Sequence, residues 1–297
     1  MPGFFPNNNH RLPVFKSMLV IGPHHASAPI HLALSYAAEH PNSSPLILSS
    51  SRTSFKEDLV ALNDGWISST SRQGNMMEAL SRVNLLYPPT PLHLSMLLST
   101  VRCLGPKDVE ASPSVLNPKT MLASSPGLII LHEPSLYFAD HDEFSSHTLS
   151  TYMSLVTRTF AALDSLAEKR SPFQPSFALF DSGLPDLKLP LVGIKVLPSE
   201  RYIPRPPNAR KLEPVLPYIE KYFEWVCCFE SPSEEEETVP SSQGEEEVGE
   251  DQPRSVRQFK LYRVSEELDE PHHITWEQAT RPSLDQNRPT THFRVYR

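Results

Sequence analysis

Along the first 180 residues, short apolar runs alternate with stripes of apolar residues at helical spacing. Met18-Leu19-Val20-Ile21 predicts a buried strand, and Gly22 closes it. Ile30 to His40 predicts a helix, with Ile30, Leu34 and Ala37-Ala38 on one face and Pro29 near its first turn, where proline is tolerated. Pro45 to Ser49 predicts a second strand, Phe55 to Trp66 a second helix, and Ser68 to Asn75 a polar loop. Arg82 to Tyr87 predicts a strand stopped by Pro88-Pro89. Pro91 to Cys103 then predicts an amphipathic helix with Leu94, Leu97, Leu98 and Val101 together. Gly127 to Leu131 is a strongly apolar strand, Ser145 to Lys169 a long helix, and Ser176 to Phe180 another strand. Strand and helix in turn, with strands apolar throughout rather than alternating, predict an α/β fold with a mostly parallel sheet covered by helices.

Beyond residue 180 the pattern changes. Leu191 to Leu197 predicts a strand and Leu216 to Tyr222 a short helix. Trp225 to Phe229, Gln258 to Val264 and His292 to Tyr296 predict late antiparallel strands. Between the first and second of these the chain turns acidic. Ten acidic residues and no basic one lie from Glu230 to Asp251; without them, 25 acidic residues face 27 basic ones. The net charge of −8 therefore belongs to one segment of low hydrophobicity, for which disorder is expected. The predicted organisation is a loose arm over residues 1–13, a core over 14–230, a disordered acidic insertion over 231–253, and C-terminal strands over 254–297 that complete the core. Phe4, Phe5, Val14 and Phe15 stand in the polar, proline-spaced N-terminal stretch and have no evident core to join, so this arm is expected to dock on a neighbouring protein.

Composition narrows the class. No run approaches the roughly 20 apolar residues of a membrane-spanning helix. The three cysteines, Cys103, Cys227 and Cys228, do not make a disulfide framework and predict a reducing compartment, cytosol or nucleus. Thirty-one prolines imply short elements with stiff connections, and ten glycines argue against a second glycine-rich phosphate cradle.

The chemistry centres on the turn after Met18–Ile21. A strand, a tight turn and a helix open a P-loop nucleotide-binding unit, whose working loop reads G-x-x-x-x-G-K-[ST]. Here Gly22 is present, but Ser27, Ala28 and Pro29 occupy the glycine, lysine and hydroxyl positions. The cation that would reach the terminal phosphates is missing, and Pro29 has no N–H to offer. At the end of Gly127–Leu131 the acidic second motif would fall on His132 or Glu133, depending on register. Nucleotide hydrolysis and a bound cofactor are therefore not expected. His24, His25, His31, His132, His141 and His147, with Glu133, Asp140, Asp142 and Glu143, show no H-E-x-x-H or tight metal-ligand spacing, and no metal site is expected. Asp181-Ser182-Gly183 ends a strand, a place where open α/β sheets hold ligands, although its plain reading is a turn. The best nucleic-acid candidate is Arg201 to Lys211, with Arg201, Arg205, Arg210 and Lys211 for phosphates and Tyr202 for stacking. Arg254, Arg257, Lys260 and Arg263 form a second cationic series, at a spacing that alternates faces on a strand.

In this order of parts the chain resembles RecA-like ATPases. The stretch RVNLLYPPTPLHLSMLLSTV, Arg82 to Val101, resembles the SWIM-domain-associated RecA-like proteins of homologous recombination, and MLVIG and GLIIL fall where that family has its nucleotide motifs. The resemblance covers Met18 to Phe180. It implies a recombinase paralogue, nuclear, that pairs with a SWIM-type zinc protein and a RecA-family recombinase and binds single-stranded DNA, with no membrane association. A second reading is a RecA-like scaffold subunit of an Elongator-type tRNA-modification assembly, whose small subunits also lack the phosphate loop.

Overall fold

The computed structural model describes residues 2–6, 11–71, 73–103, 121–122, 124–139, 147–167, 175–191, 211–230, 254–265, 271–281 and 289–296. In chain order the elements are β1 (Ser17–Ile21), α1 (Ala28–Glu39), β2 (Leu46–Ser49), α2 (Arg52–Leu62), α3 (Gly65–Thr70), α4 (Gly74–Arg82) and β3 (Asn84–Leu86). There follow α5 (Pro91–Thr100), β4 (Arg102–Cys103), β5 (Met121–Leu122), β6 (Leu128–His132), α6 (Leu149–Leu166) and β7 (Ser176–Asp181). The last elements are β8 (Lys188–Pro190), β9 (Leu212–Pro214), α7 (Leu216–Ile219), β10 (Trp225–Phe229), β11 (Arg254–Arg263), β12 (His272–Arg281) and β13 (Thr290–Tyr296).

Among the described residues, nine strands form one sheet in the order β13-β12-β11-β10-β1-β7-β6-β2-β3. From β10 to β3 every pairing is parallel. From β10 outward to β13 every pairing is antiparallel. This is the expected α/β arrangement, with a helix-covered, mostly parallel sheet and antiparallel strands at its C-terminal end. β1 lies between β10 and β7, with Leu19 level with Val226 and Leu179.

The parallel strands are apolar throughout because both faces are covered, and strand parity decides which residue serves which face. Leu19, Ile21, Leu48, Ile129, Leu131, Phe177 and Leu179 join α5 and α6 residues such as Leu94, Leu98, Tyr152 and Val156. Met18, Val20, Ile47, Leu128, Ile130, Ala178 and Phe180 face the other way, onto Ala28, Leu32 and Tyr36 of α1.

The structure departs from the sequence pattern at several places. The pattern puts Trp225–Phe229 among the antiparallel strands, but β10 pairs parallel with β1 and antiparallel only with β11. It is the strand at which the sheet changes sense. The polar stretch Ser68–Asn75 is not one loop: α3 runs to Thr70 and α4 starts at Gly74. α3 forms because the Asp64 side chain accepts from the N–H groups of Trp66 (2.9 Å) and Ile67 (3.2 Å), capping a segment with little apolar periodicity. β12 is an addition to the predicted strands, although its Ile274 and Trp276 point inward at a two-residue spacing. Leu191 is not in a strand, and residues 192–197 lie outside the described residues, as does the acidic run 231–253.

The N-terminal aromatics also find a core. Phe4, Phe5, Leu12 and Phe15 are buried against Phe180, Phe229, Phe259, Ile274 and Trp276 of the chain's own sheet. Phe4 stands edge-on to Phe180 at 5.7 Å, and Phe5 lies 5.2 Å from Trp276. The neighbour expected for these side chains is the protein's own β10–β12. The sequence could not show it, because β11 and β12 arrive some 250 residues later in the chain.

Candidate functional site

The carboxyl ends of β1, β6 and β7 lie side by side, the place where open α/β sheets hold ligands. Three turns meet there: Gly22 to Ser27 after β1, Glu133 to Ser135 after β6, and Ser182-Gly183 after β7.

The first turn starts with a glycine that geometry demands. Gly22 has φ +81°, and a Cβ on it would lie 2.1 Å from the Phe229 carbonyl oxygen. The chain therefore leaves β1 against the backbone of β10 with no room for a side chain. His24 and His25 then turn inward. The His24 ring lies 5.2 Å from Phe180 and 6.2 Å from Phe229, and its side chain is 3% exposed. The His25 ring lies 4.5 Å from Phe293 and 4.9 Å from Phe5. Two backbone donors are used within the turn: His24 N donates to Gly22 O at 2.8 Å and Ala28 N to His25 O at 2.9 Å. Ser27, Ala28 and Pro29 are buried at the start of α1, and the Ser27 hydroxyl donates to Asp64 Oδ2 at 2.6 Å rather than facing the sheet end.

Asp64 gathers a second network. Its Oδ2 accepts from His31 Nε2 at 2.7 Å as well as from Ser27, while Oδ1 caps α3. His25 Nδ1 lies 3.0 Å from Ser27 Oγ. Burial opposes a charge on Asp64, but the hydrogen bonds and charge of His31, with those from Ser27 and the Ile67 N–H, outweigh it and hold the carboxyl below its usual range. The neighbouring Asn63 has φ 44° and ties this corner to the last strand by accepting from Thr291 N at 3.0 Å. Ser27, His31 and Asp64 are a hydroxyl, an imidazole and an acid, but the serine donates to the aspartate and not to the histidine, and all three are buried, so no nucleophile is presented.

The third group stands across the sheet end. Nitrogen and oxygen atoms of His24, His132 and Glu133 all lie within 4.8 Å of one another, with His24 Nε2 3.6 Å from Glu133 Oε1. Glu133 has φ 51° and ψ 48°, an uncommon conformation for a residue with a side chain, fixed where its N–H donates to Phe180 O at 2.7 Å. Its carboxyl group accepts from Ser182 N at 3.0 Å and from Ser182 Oγ at 2.9 Å. Asp181 beside it accepts on Oδ2 from Tyr152 Oη at 2.5 Å and Ser135 N at 3.0 Å. Burial raises both carboxyls above their usual range, and the charge of Asp181 raises Glu133 further. Burial lowers the His24 imidazole to about 4, against the Gly22 carbonyl, and lowers His132 to about 3, with His24 adding to it. Both rings are neutral at pH 7.

The structure thus brings four of the sequence candidates, Gly22, Ser27, Ala28 and Pro29, into one turn, with Glu133 two strands away at the end of β6. Arg201, Tyr202, Arg205 and Arg210 lie outside the described residues. Lys211 is described: its side chain is exposed and pairs with Glu213 at 2.6 Å. In the second cationic series, Lys260 pairs with Glu230 and Arg263 with Glu224, while Arg257 lies over the Trp276 ring. His141 and the acidic residues 140–143 also lie outside the described residues.

No family model and no curated protein matches the sequence. Among solved structures, the chain is similar to one titled crystal structure of the RadB recombinase: 13% identity over 88% of this chain and 86% of that one, TM-score 0.40. It is also similar to a solved structure of an ATPase domain, at 7% identity over 88% of this chain and 80% of that one, TM-score 0.37. At these scores the likenesses add no argument to the topology given above.

Sequence reading missed Asp64 and the meeting of His24 with His132. Asp64 carried a signal, an aspartate followed by glycine just before Trp66, which is a helix N-cap as readily as a loop. Ser182 belongs to the Asp181-Ser182-Gly183 turn that the sequence singles out, and its role there is to hold the Glu133 carboxyl group.

Proposed function

We propose that the chain is a RecA-like subunit that neither holds nor hydrolyses ATP and serves homologous recombination as a recombinase paralogue. One observation supports the first half above all others. The turn after β1, the counterpart of a phosphate loop, carries the His24 and His25 rings packed on Phe180 and Phe293, and its His24 and Ala28 N–H groups are bonded within the turn. Phosphate cradling needs free, convergent N–H groups and a lysine, and phosphoryl transfer depends on stabilising charge on the moving group. Neutral buried imidazoles supply neither.

A subunit of this kind acts by assembly. The partners proposed are a SWIM-type zinc protein, a RecA-family recombinase and single-stranded DNA, in the nucleus, as the resemblance of Arg82 to Val101 implies. The test has two arms. Purified protein titrated with a fluorescent ATP analogue and magnesium is expected to show no saturable binding and no phosphate release; turnover that disappears in Glu133→Gln would overturn the non-hydrolysing reading. Affinity capture from native cells is expected to recover a recombinase and a SWIM-type protein. Recovery of tRNA-modification subunits without any recombination factor would replace recombination with the Elongator-type reading.

A further inference from the structure

At the sheet end His24, His132 and Glu133 converge, one ligand atom of each lying within 4.8 Å of the other two. His24 Nδ1 lies 3.2 Å from the Gly22 carbonyl oxygen, which can only accept, so Nδ1 carries the proton and Nε2 a lone pair. His132 Nδ1 lies 3.1 Å from Ser49 Oγ, whose hydroxyl also lies 3.4 Å from the Ser51 carbonyl oxygen; with that hydroxyl turned to Ser51, Nδ1 donates to Ser49 and Nε2 keeps a lone pair. Glu133 Oε1 is the third, 3.6 Å from His24 Nε2. That gap is too long for a proton on the carboxyl group to bridge as a hydrogen bond. A divalent cation, with a bond to each side, does bridge it.

We infer that His24, His132 and Glu133 form a binding site for one borderline divalent transition-metal ion, of which zinc is the representative. Two imidazoles and one carboxylate are a ligand set that zinc accepts, with further positions left for water or another ligand. The surroundings are those of a metal centre. Each imidazole has one nitrogen held by a neighbour, His24 Nδ1 by the Gly22 carbonyl oxygen and His132 Nδ1 by the Ser49 hydroxyl, and the carboxylate is held by Ser182. The left-handed backbone at Glu133 helps to place that carboxylate next to His24 and His132 rather than out in solvent. The ligand atoms need to close by about an ångström to reach the ~2 Å bonds of zinc, a shift that side-chain rotation supplies. An ion there would tie the turn after β1 to the ends of β6 and β7. This inference stands apart from the proposed function, since a chain of any assembly could hold it.

The probe is Co2+, with the whole 297-residue chain freed of metal by a chelator. One equivalent is expected to bind, with the visible absorption of a four- or five-coordinate ion, and to be displaced by Zn2+. His24→Gln and Glu133→Gln are each expected to weaken binding by roughly tenfold or more. A His272→Ala, His273→Ala double variant, which removes the exposed histidine pair on β12, is expected to leave binding unchanged. Ser49→Ala tests the positioning role: it is expected to weaken Co2+ binding with the far-ultraviolet circular dichroism unaltered. Absence of the absorption in wild-type protein, or its persistence in folded His24→Gln and Glu133→Gln, overturns the site. Where a ligand variant does not fold, X-ray absorption at the metal edge of the wild-type protein decides, because it counts two imidazoles or it does not.

Discussion

Replacing Asp64 by alanine tests whether the turn after β1, α3 and the last strand are held by one carboxylate. The side chain is 4% exposed and accepts four hydrogen bonds, from Ser27 Oγ, His31 Nε2, Trp66 N and Ile67 N. Losing the helix cap costs about 1 kcal/mol. Leaving the buried Ser27 and His31 donors unpaired costs about 1–3 kcal/mol each, offset in part because a buried carboxylate no longer needs to be desolvated. The net expectation is about 3–4 kcal/mol, or roughly 10 °C in the unfolding midpoint for a chain of this size. Asp64→Asn keeps the cap through its amide oxygen and is expected to cost about half as much. The assay is equilibrium urea unfolding followed by tryptophan fluorescence, since Trp66 and Trp276 are both in helices or strands of this region. A double-mutant cycle with Ser27→Ala should return a coupling of at least about 1 kcal/mol. A cost for Asp64→Ala below about 1 kcal/mol, or strict additivity with Ser27→Ala, would refute the account.

The same carboxyl sets a pH dependence. Because its folded pKa is lowered, the unfolded chain takes up the proton first as pH falls, so Asp64's contribution is complete at neutral pH and is lost progressively below about pH 4; acid titration of wild type against Asp64→Ala should show their stabilities converging there. Gly22→Ala is expected to cost at least about 2 kcal/mol, from left-handed backbone strain plus collision with the Phe229 carbonyl, measured by thermal unfolding. Phe5→Ala should lose about 3 kcal/mol, and removal of residues 1–16 should expose the aromatic face of β10–β12 to a hydrophobic dye, where an arm belonging to a partner would leave the isolated chain unaffected. Tyr152→Phe should cost about 1–2 kcal/mol in urea unfolding, as Asp181 loses a buried donor.

The sequence alone determined the parallel half of the sheet. Met18–Ile21, Leu46–Ser49, Leu128–Leu131 and Ser176–Phe180 are apolar at every or nearly every position, which only strands covered on both faces require, and the helices between them carry stripes of matching width. It also determined that the turn after Gly22 lacks a lysine, because that is a statement about residue identity. Where a local rule decides the outcome, as at Gly22 and Pro29, the sequence suffices. Tertiary structure decided everything that depends on residues distant in the chain. β10 is parallel because it lies beside β1, not because of its own composition, and Phe4 and Phe5 have a core only once β11 and β12 are in place. His24 and His132 carry no signal of their own in the sequence; the lateral order β1-β7-β6 brings their rings to 6.1 Å and both beside Glu133. Periodicity along a chain encodes which face a side chain occupies, whereas neighbours across a sheet are set by strand order, which a single sequence does not carry.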